Sequence, residues 1–509
     1  MELLSGATHW RYLKYALMAQ FYAVLALDFY YIVPASYPLL AASGALFALG
    51  LLMLVHRALV PLLRQNMVLT WAAIYFVEAL SMWMYFRNAT FTTHFFDLGN
   101  FMQPLYMTLY GHQLFALNIS PTAFQLVSVS PINLNAPNSV PLLSTLFSPL
   151  LFLLLPFYAI YPSALTLFVI QNIAMALPAF FIFGLIEDKK KQLWVALLYL
   201  GYAPIYFVAF WDFHTEAFFP LFLFLVIYSM VRGNRKWFYT GVALFLSVNQ
   251  AGPALLAFLL PYVYHKTRNI KMVVLPGLMA LGFAATAFLV TGNVLGDRMF
   301  LQPSGGTILS STLQGLGGKL TYTTFLFAPV LFVPLLQPLA LLPAAAWLGY
   351  AFLRNFFPYT SILFQYNMLV VGFVFLGLVG SVKYIDSRLL KVGLVISLVV
   401  FVASWPQGSP YIAGAELPYS NPAYPELNAI LRQIPSNATI MASDSVFPAL
   451  ANRVGTYFDP NFPPQWIVLE KSDNNIQIQQ PYVNYYLSIA NYTIIENDSL
   501  LFVARLNTG

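Results

Sequence analysis

Asp212-Phe213-His214-Thr215-Glu216 places three ionisable side chains within five residues, between two long apolar runs. Ionisable groups at a membrane boundary are uncommon and point to function. On a helix, Asp212 and Glu216 at i, i+4 share one face, with His214 beside them. Two readings stand: a solvated turn that keeps helix ends in water, or a set that binds an acceptor sugar or a divalent ion. The spacing matches no standard metal site, so no metal ligands are assigned. A second carboxylate stands out in Thr93-His94-Phe95-Phe96-Asp97-Leu98-Gly99-Asn100-Phe101. Phe101, Leu105 and Leu109 follow it with helical period, which predicts an amphipathic helix lying on the outer membrane surface. Asp97 is then either an N-cap for that helix or a general base at the water–lipid boundary.

Glu78 is the one carboxylate in the middle of an apolar run. It marks a functional site or hydrogen-bonds another helix. The polar pairs Gln171-Asn172 and Asn249-Gln250 also fall at depth, where they join helices or line a substrate groove.

The elements that must carry these residues are membrane helices. The 509 residues are 60% hydrophobic and 8% charged, against about 25% charge in soluble domains. Only lipid can serve as solvent for so much apolar surface. Apolar runs fall near 13–33, 38–55, 68–86, 142–160, 164–186, 192–210, 217–231, 238–263, 272–291, 321–337, 338–353, 364–381 and 390–405. The run over 321–353 is broken by Pro334, Pro338 and Pro343, and reads as a hairpin. That over 238–263 lies between basic clusters and reads as a short hairpin turning at Asn249-Gln250-Ala251-Gly252-Pro253. The run 142–160 reads as a re-entrant or tilted helix. The fold class expected is an all-α polytopic transmembrane bundle of about 11–13 spans over 1–405, with a small extracytoplasmic α/β domain over 406–509.

Sixteen of the 24 Lys and Arg residues cluster at Arg11/Lys14, Arg57/Arg64, Lys189–Lys191, Arg232/Arg235/Lys236, Lys266/Arg268/Lys271 and Lys383/Arg388/Lys391. The positive-inside rule makes that side, and the N-terminus, cytoplasmic. The segments 87–141, 211–216, 292–320, 354–363 and 406–509 then lie outside, 87–141 being a large outer loop. The sequons at Asn88, Asn118, Asn437, Asn491 and Asn497 all fall in these segments,. Arg11 and Lys14 precede a full apolar run with no cleavage site, so no signal peptide is expected. Basic groups are scarce outside, so Arg298, Lys319 and Arg354 are either snorkelling residues or partners for an anionic lipid head group. Cysteine is absent, which excludes disulfides and thiol catalysis,. The net charge of +6 follows topology and implies no nucleic-acid partner,.

In the C-terminal segment, 425–434 and 475–490 read as helices, Ala438–Ser443 and Gln465–Glu470 as strands, and 492–506 as a hairpin turning at Asn497-Asp498. Asp444 and Asp459 read as turn or cap residues, with ligand contact the alternative.

The ordered pieces resemble a family. Phe96-Asp97-Leu98-Gly99-Asn100-Phe101-Met102-Gln103 followed by Gly111 is similar to a YDLGxFxQ…G signature. Leu146-Phe147-Ser148-Pro149, Leu155-Pro156-Phe157-Tyr158, Asp212-Phe213-His214-Thr215-Glu216, the Asn249 turn, Gln365-Tyr366 and Ser443-Asp444 follow in order. Together they resemble an uncharacterised family of prokaryotic polytopic membrane proteins, grouped with the GT-C glycosyltransferases. The resemblance implies a sugar taken from a polyprenyl-phosphate carrier on the outer face, without cofactor, for a glycan or protein acceptor. It implies Asp97 as the catalytic acid–base residue. His94, Gln103, Asp212, His214, Glu216, Asn249, Gln250, Gln365 and Tyr366 would line the substrate cavity, and Arg354 would hold the lipid phosphate. The chain departs from the family pattern at Leu146, where a His is common, and at Asn249-Gln250-Ala251, where an acidic turn is common. A non-catalytic protein of the same fold, binding lipid-linked glycan, is the alternative reading. A transporter fits less well, because no internal repeat is visible.

Overall fold

The computed structural model describes residues 6–32, 34–121, 137–291, 308–405, 423–471, 473 and 476–507. Arg298 and the stretch 406–422 lie outside the described residues. Among the described residues, seven helices are long and apolar enough to cross a membrane: Tyr37–Arg57, Met67–Ala89, Ala164–Leu185, Lys189–Phe210, Lys271–Thr291, Gln365–Tyr384 and Ser387–Ser404. Leu150–Ile160, Thr215–Val231 and Pro338–Arg354 are shorter apolar helices. Large apolar side chains such as Tyr75, Leu281, Leu289 and Val395 stand exposed on the bundle's outer surface, as lipid-facing residues do.

The remaining apolar runs are cut by backbone chemistry. The run over 238–263 divides into Arg235–Ser247 and Gly252–Thr267, with Pro253 in the first turn of the second helix. The hairpin turn therefore falls at 248–251, as its Asn-Gln-Ala-Gly-Pro sequence indicates. Thirteen residues rise about 20 Å, short of a hydrocarbon core of about 30 Å, so this turn stays at depth. The run over 321–353 breaks between Leu316–Phe327 and Pro338–Arg354, where Leu331 and Phe332 both take left-handed φ values of 54° and 56°. In the run 142–160 a tight turn at Leu142–Ser144 precedes a helix of 11 residues, Leu150–Ile160. That helix packs on Tyr37–Leu63, where Gly44 meets the Pro156 carbonyl with no room for a side chain.

The helix Asn100–Tyr110 forms where the apolar period predicts it, but it is buried nearly all round rather than along one stripe. Leu150–Ile160 and Gly6–Phe29 pack against it, and the C-terminal segment bonds it through Thr456 to Gln103. In the C-terminal segment the strands β1 (Ile440–Ala442), β2 (Thr456–Tyr457), β3 (Trp466–Glu470), β4 (Tyr492–Asn497) and β5 (Leu501–Leu506) form a sheet of order β2-β1-β3-β5-β4. The first three strands in chain order are mutually parallel; β5 runs antiparallel to β3, and β4 runs antiparallel to β5. Alternation along the strands gives the sheet two apolar faces. Met441, Ile467, Leu469 and Ala504 meet the helix Ile476–Ile489. Ile440, Ala442, Val468 and Val503 join the core that runs on into the membrane bundle.

Polar bonds fix the same seam. Asn118 N–H donates to Gln103 Oε1 at 2.8 Å, and Gln103 Nε2 donates to the Thr456 carbonyl at 2.7 Å. Asn118 Nδ2 donates to the carbonyls of Val454 and Thr456, so this sequon is buried while Asn437, Asn491 and Asn497 are exposed. Ser120 donates its N–H to Asp459 at 2.8 Å. Tyr158 bonds Asn452 at 2.6 Å, and Asn452 in turn bonds the Pro162 carbonyl.

Candidate functional site

Asp97 sits in a single wide helical turn, Phe95–Gly99, that leads into Asn100–Tyr110. Such π-type turns recur at functional sites because they re-aim side chains. Neither helix start is capped by Asp97. The cap comes from Asp444, 349 residues away in sequence: its Oδ1 accepts from the N–H of Phe95 at 2.8 Å and of Phe96 at 3.3 Å. Its Oδ2 lies 3.3 Å from His94 Nδ1. The Phe447 ring packs 4.2 Å from that of Phe95, and Phe458 stacks on its other side at 5.0 Å. The C-terminal sheet thus holds the turn that carries Asp97. The Asp97 side chain, 18% exposed, places Oδ1 3.1 Å from Nε2 of His214.

The Asp-Phe-His-Thr-Glu segment does not lie on one helix face, contrary to the i, i+4 reading. Asp212 takes φ 78°, a left-handed conformation that Asp tolerates better than most residues,. The chain reverses there, and the three ionisable groups point to three partners. Asp212 Oδ1 pairs with Arg87 at 2.9 Å, both side chains buried. Its Oδ2 accepts the His94 N–H at 3.3 Å. Arg87 also donates to the carbonyls of Phe210 and Thr92. Gln171 fixes the reversal from below, donating to the Asp212 carbonyl at 3.0 Å and accepting the His214 N–H at 2.6 Å. Asp212 is therefore structural, and His214 is aimed at Asp97.

Glu216 completes the group. Its Oε1 accepts from Asn249 Nδ2 at 2.9 Å, so the hairpin turn at depth reaches the same place. Tyr366 lies within electrostatic range of both Glu216 and Asp97. Its ring stacks on Trp347 at 6.2 Å and meets Tyr359 edge-on at 4.5 Å. The Phe101 ring stands 6.1 Å from His214. His214 Nδ1 and Gln365 Oε1 are two of fifteen buried side-chain atoms without a hydrogen-bond partner among the described residues.

The electrostatics follow from these contacts. Burial disfavours the charged form of His214, but its bond to Asp97 and the charges of Asp97, Glu216 and Asp212 outweigh it, so its pKa is raised. His94 behaves alike: burial opposes its charge, Asp444 outweighs burial with help from Asp212 and Asp97, and the ring is pushed up to about 9. Burial raises Asp212, against the pull of Arg87. Among the described residues no three His, Asp or Glu side chains converge as a metal site would need.

Of the residues singled out in the sequence, Asp97, His214, Glu216, Asn249 and Tyr366 are brought together, with His94 behind them. Gln103 is fully buried, and its amide is spent on Asn118 and Thr456, so it lines no cavity. Gln250 accepts the Phe147 N–H and donates to the Thr145 carbonyl, tying the hairpin turn to the segment before Leu150–Ile160. Arg354 ends the helix Pro338–Arg354, one turn beyond Tyr350, whose ring packs against Tyr359. Lys319 is buried and donates to the carbonyls of Thr312 and Phe352, an internal tie rather than a snorkelling charge. Sequence reasoning missed Arg87. Its signal was available: a cation at the end of an apolar run on the side where cations are scarce.

No curated protein and no solved structure matches the chain. A family model described as "Predicted membrane protein (DUF2079)" matches residues 87–498. That match begins at Arg87 and takes in the Asp97 turn, the Asp212 reversal, the Asn249 hairpin and most of the C-terminal sheet. By this coverage the chain belongs to the DUF2079 family of membrane proteins, whose function is unknown.

Proposed function

We propose that the chain is a membrane glycosyltransferase of GT-C type, moving a sugar from a polyprenyl-phosphate carrier to an acceptor hydroxyl on the extracytoplasmic side. One observation carries the reading: a partly exposed carboxylate, Asp97, held 3.1 Å from a buried imidazole, His214, whose other nitrogen has no partner among the described residues. A general base needs that combination of a fixed direction and an open approach. In the proposed step the acceptor hydroxyl gives its proton to Asp97. Its oxygen bonds the anomeric carbon, and the carbon–oxygen bond to the carrier breaks, its electron pair leaving with the lipid phosphate. His214 orients the carboxylate. Glu216, Asn249, Gln365 and Tyr366 offer hydrogen bonds and an aromatic face to the sugar. Arg354 is the cation assigned to the leaving phosphate. The Asn249 turn stays at membrane depth by helix length alone, which suits a donor whose tail remains in lipid. The loss of family-typical ionisable groups at Leu146 and Asn249 favours the second reading, a protein that binds lipid-linked glycan without reacting it.

The test is transfer by purified full-length chain from a panel of polyprenyl-phosphate sugars. Asp97→Asn keeps the shape and one acceptor oxygen but removes the base, so transfer should fall by about 10²–10⁴-fold with melting temperature held. If no donor supports transfer, and cells carrying Asp97→Asn keep normal glycans, the non-catalytic reading stands.

A further inference from the structure

Glu78 is the twelfth of 23 residues in the helix Met67–Ala89, eleven from either end. It lies about 16 Å from each end of that helix, too deep for a glutamate to snorkel to water. It is also exposed. The residues of this helix that enter the bundle are Leu69, Ala73, Phe76, Leu80, Ser81, Met84 and Arg87, a face centred between Phe76 and Leu80 that leaves Glu78 on the opposite side. There Val68, Trp71, Tyr75, Met82 and Tyr85 stand between 45% and 73% exposed. With Glu78 they follow the spacing 68, 71, 75, 78, 82, 85, alternating three and four residues. That is the seam of two helices crossing at about 20°. Glu78 occupies its centre and makes no hydrogen bond among the described residues.

A carboxyl facing hydrocarbon is costly in either state. Charge at a span centre costs about 2.5–3.5 kcal/mol on insertion scales, and an uncharged acid leaves a donor and acceptor unmatched. We propose that this face is an interface with a second copy of the same chain, in which Glu78 meets Glu78. All copies share one orientation in a membrane, so the twofold axis of a dimer runs along the membrane normal and residues at equal depth face each other. A carboxyl that offers both donor and acceptor is its own complement under that symmetry. The seam residues, 68–85, precede residue 87, where the family match begins, and none of them belongs to the proposed active site.

The chain has no cysteine, so single-cysteine cross-linking in native membranes reads the interface directly. Tyr75→Cys and Met82→Cys should each give a disulfide-linked dimer on oxidation, while Val395→Cys and Leu281→Cys, exposed on other helices, should not. In the full chain reconstituted in bilayers, Glu78→Leu should weaken dimerisation about threefold to thirtyfold, the range of intramembrane hydrogen bonds. Glu78→Gln, whose amide is also donor and acceptor, should restore most of it. A monomer at every lipid dilution, equal dimerisation of Glu78→Leu, or cross-links from Met82→Cys to another protein and not to itself would overturn the proposal.

Discussion

Removing the Asp444 carboxylate tests whether the C-terminal sheet holds the turn that carries Asp97. Asp444 is buried, 4% exposed, and makes two kinds of contact with that turn. Its Oδ1 caps the N–H groups of Phe95 and Phe96, and losing such a cap costs about 0.5–2 kcal/mol. Its Oδ2 faces the His94 ring, a bond to a charged group worth about 1.5–3 kcal/mol. His94 is 30% exposed, so solvent screening pushes that second contribution to the low end of its range or below. Asp444→Ala should therefore ease opening of residues 94–99 by about 2–3 kcal/mol, or roughly 30- to 150-fold in the opening equilibrium. Asp444→Asn keeps an acceptor for the cap and loses only the charge, so it should fall between. The pH dependence has a definite sign. The folded pKa of His94, about 9, lies above its ordinary value of 6.5. Its contribution is complete below pH 6.5 and is lost as pH rises through about 9. Hydrogen exchange at the amides of 95–99, corrected for intrinsic rate, measures the opening. Protection in the parent chain should decline through pH 9, and in Asp444→Asn that step should be smaller and fall at lower pH, since Asp212 and Asp97 still favour the charged ring. Exchange in Asp444→Ala at the parent rate would refute the argument, because the turn would then be held by aromatic packing and the Asp444 backbone carbonyl, which accepts the Phe95 N–H at 2.8 Å.

Two other outcomes follow from the same seam and from the assigned orientation. Burial raises Asp459 to about 6 against its bonds to Ser120, so its folded form favours the proton: the resulting stability is complete below about pH 4 and lost as pH rises through 6. Asp459→Asn should melt higher than the parent at pH 7.5 and not at pH 4, read by thermal unfolding at both values. A membrane-impermeant maleimide applied to intact cells should label Asn437→Cys and not Lys236→Cys; the reverse pattern would place the C-terminal sheet and Asp97 on the cytoplasmic side and remove the outer-face donor.

What the sequence made legible depends on how far each partner lies along the chain. Span positions, the turn at Asn249–Pro253, the proline hairpin near 334 and the strands at 440–442, 466–470 and 492–506 follow from neighbours within a few residues and form close to where composition places them, whereas the short strand Thr456–Tyr457 carried no such signal. The amphipathic reading of Asn100–Tyr110 goes wrong on its second face, because the helices that pack on it, Gly6–Phe29 and Leu150–Ile160, and the Thr456 carbonyl that takes the Gln103 amide all lie far from it along the chain. Distance along the chain also hides the role of Asp444. Its residue type suits a cap, but nothing local says whose helix it caps. Asp212-Phe213-His214-Thr215-Glu216 shows the general point in five residues. Periodicity treats them as one helical face, whereas Arg87 and Gln171 fix the ends of a left-handed reversal and split the three ionisable groups between structure and site. Asp212 is taken by Arg87, Glu216 by Asn249, and His214 alone is left to face Asp97. That division, and not the clustering in sequence, makes Asp97 the carboxylate on which the proposed chemistry depends.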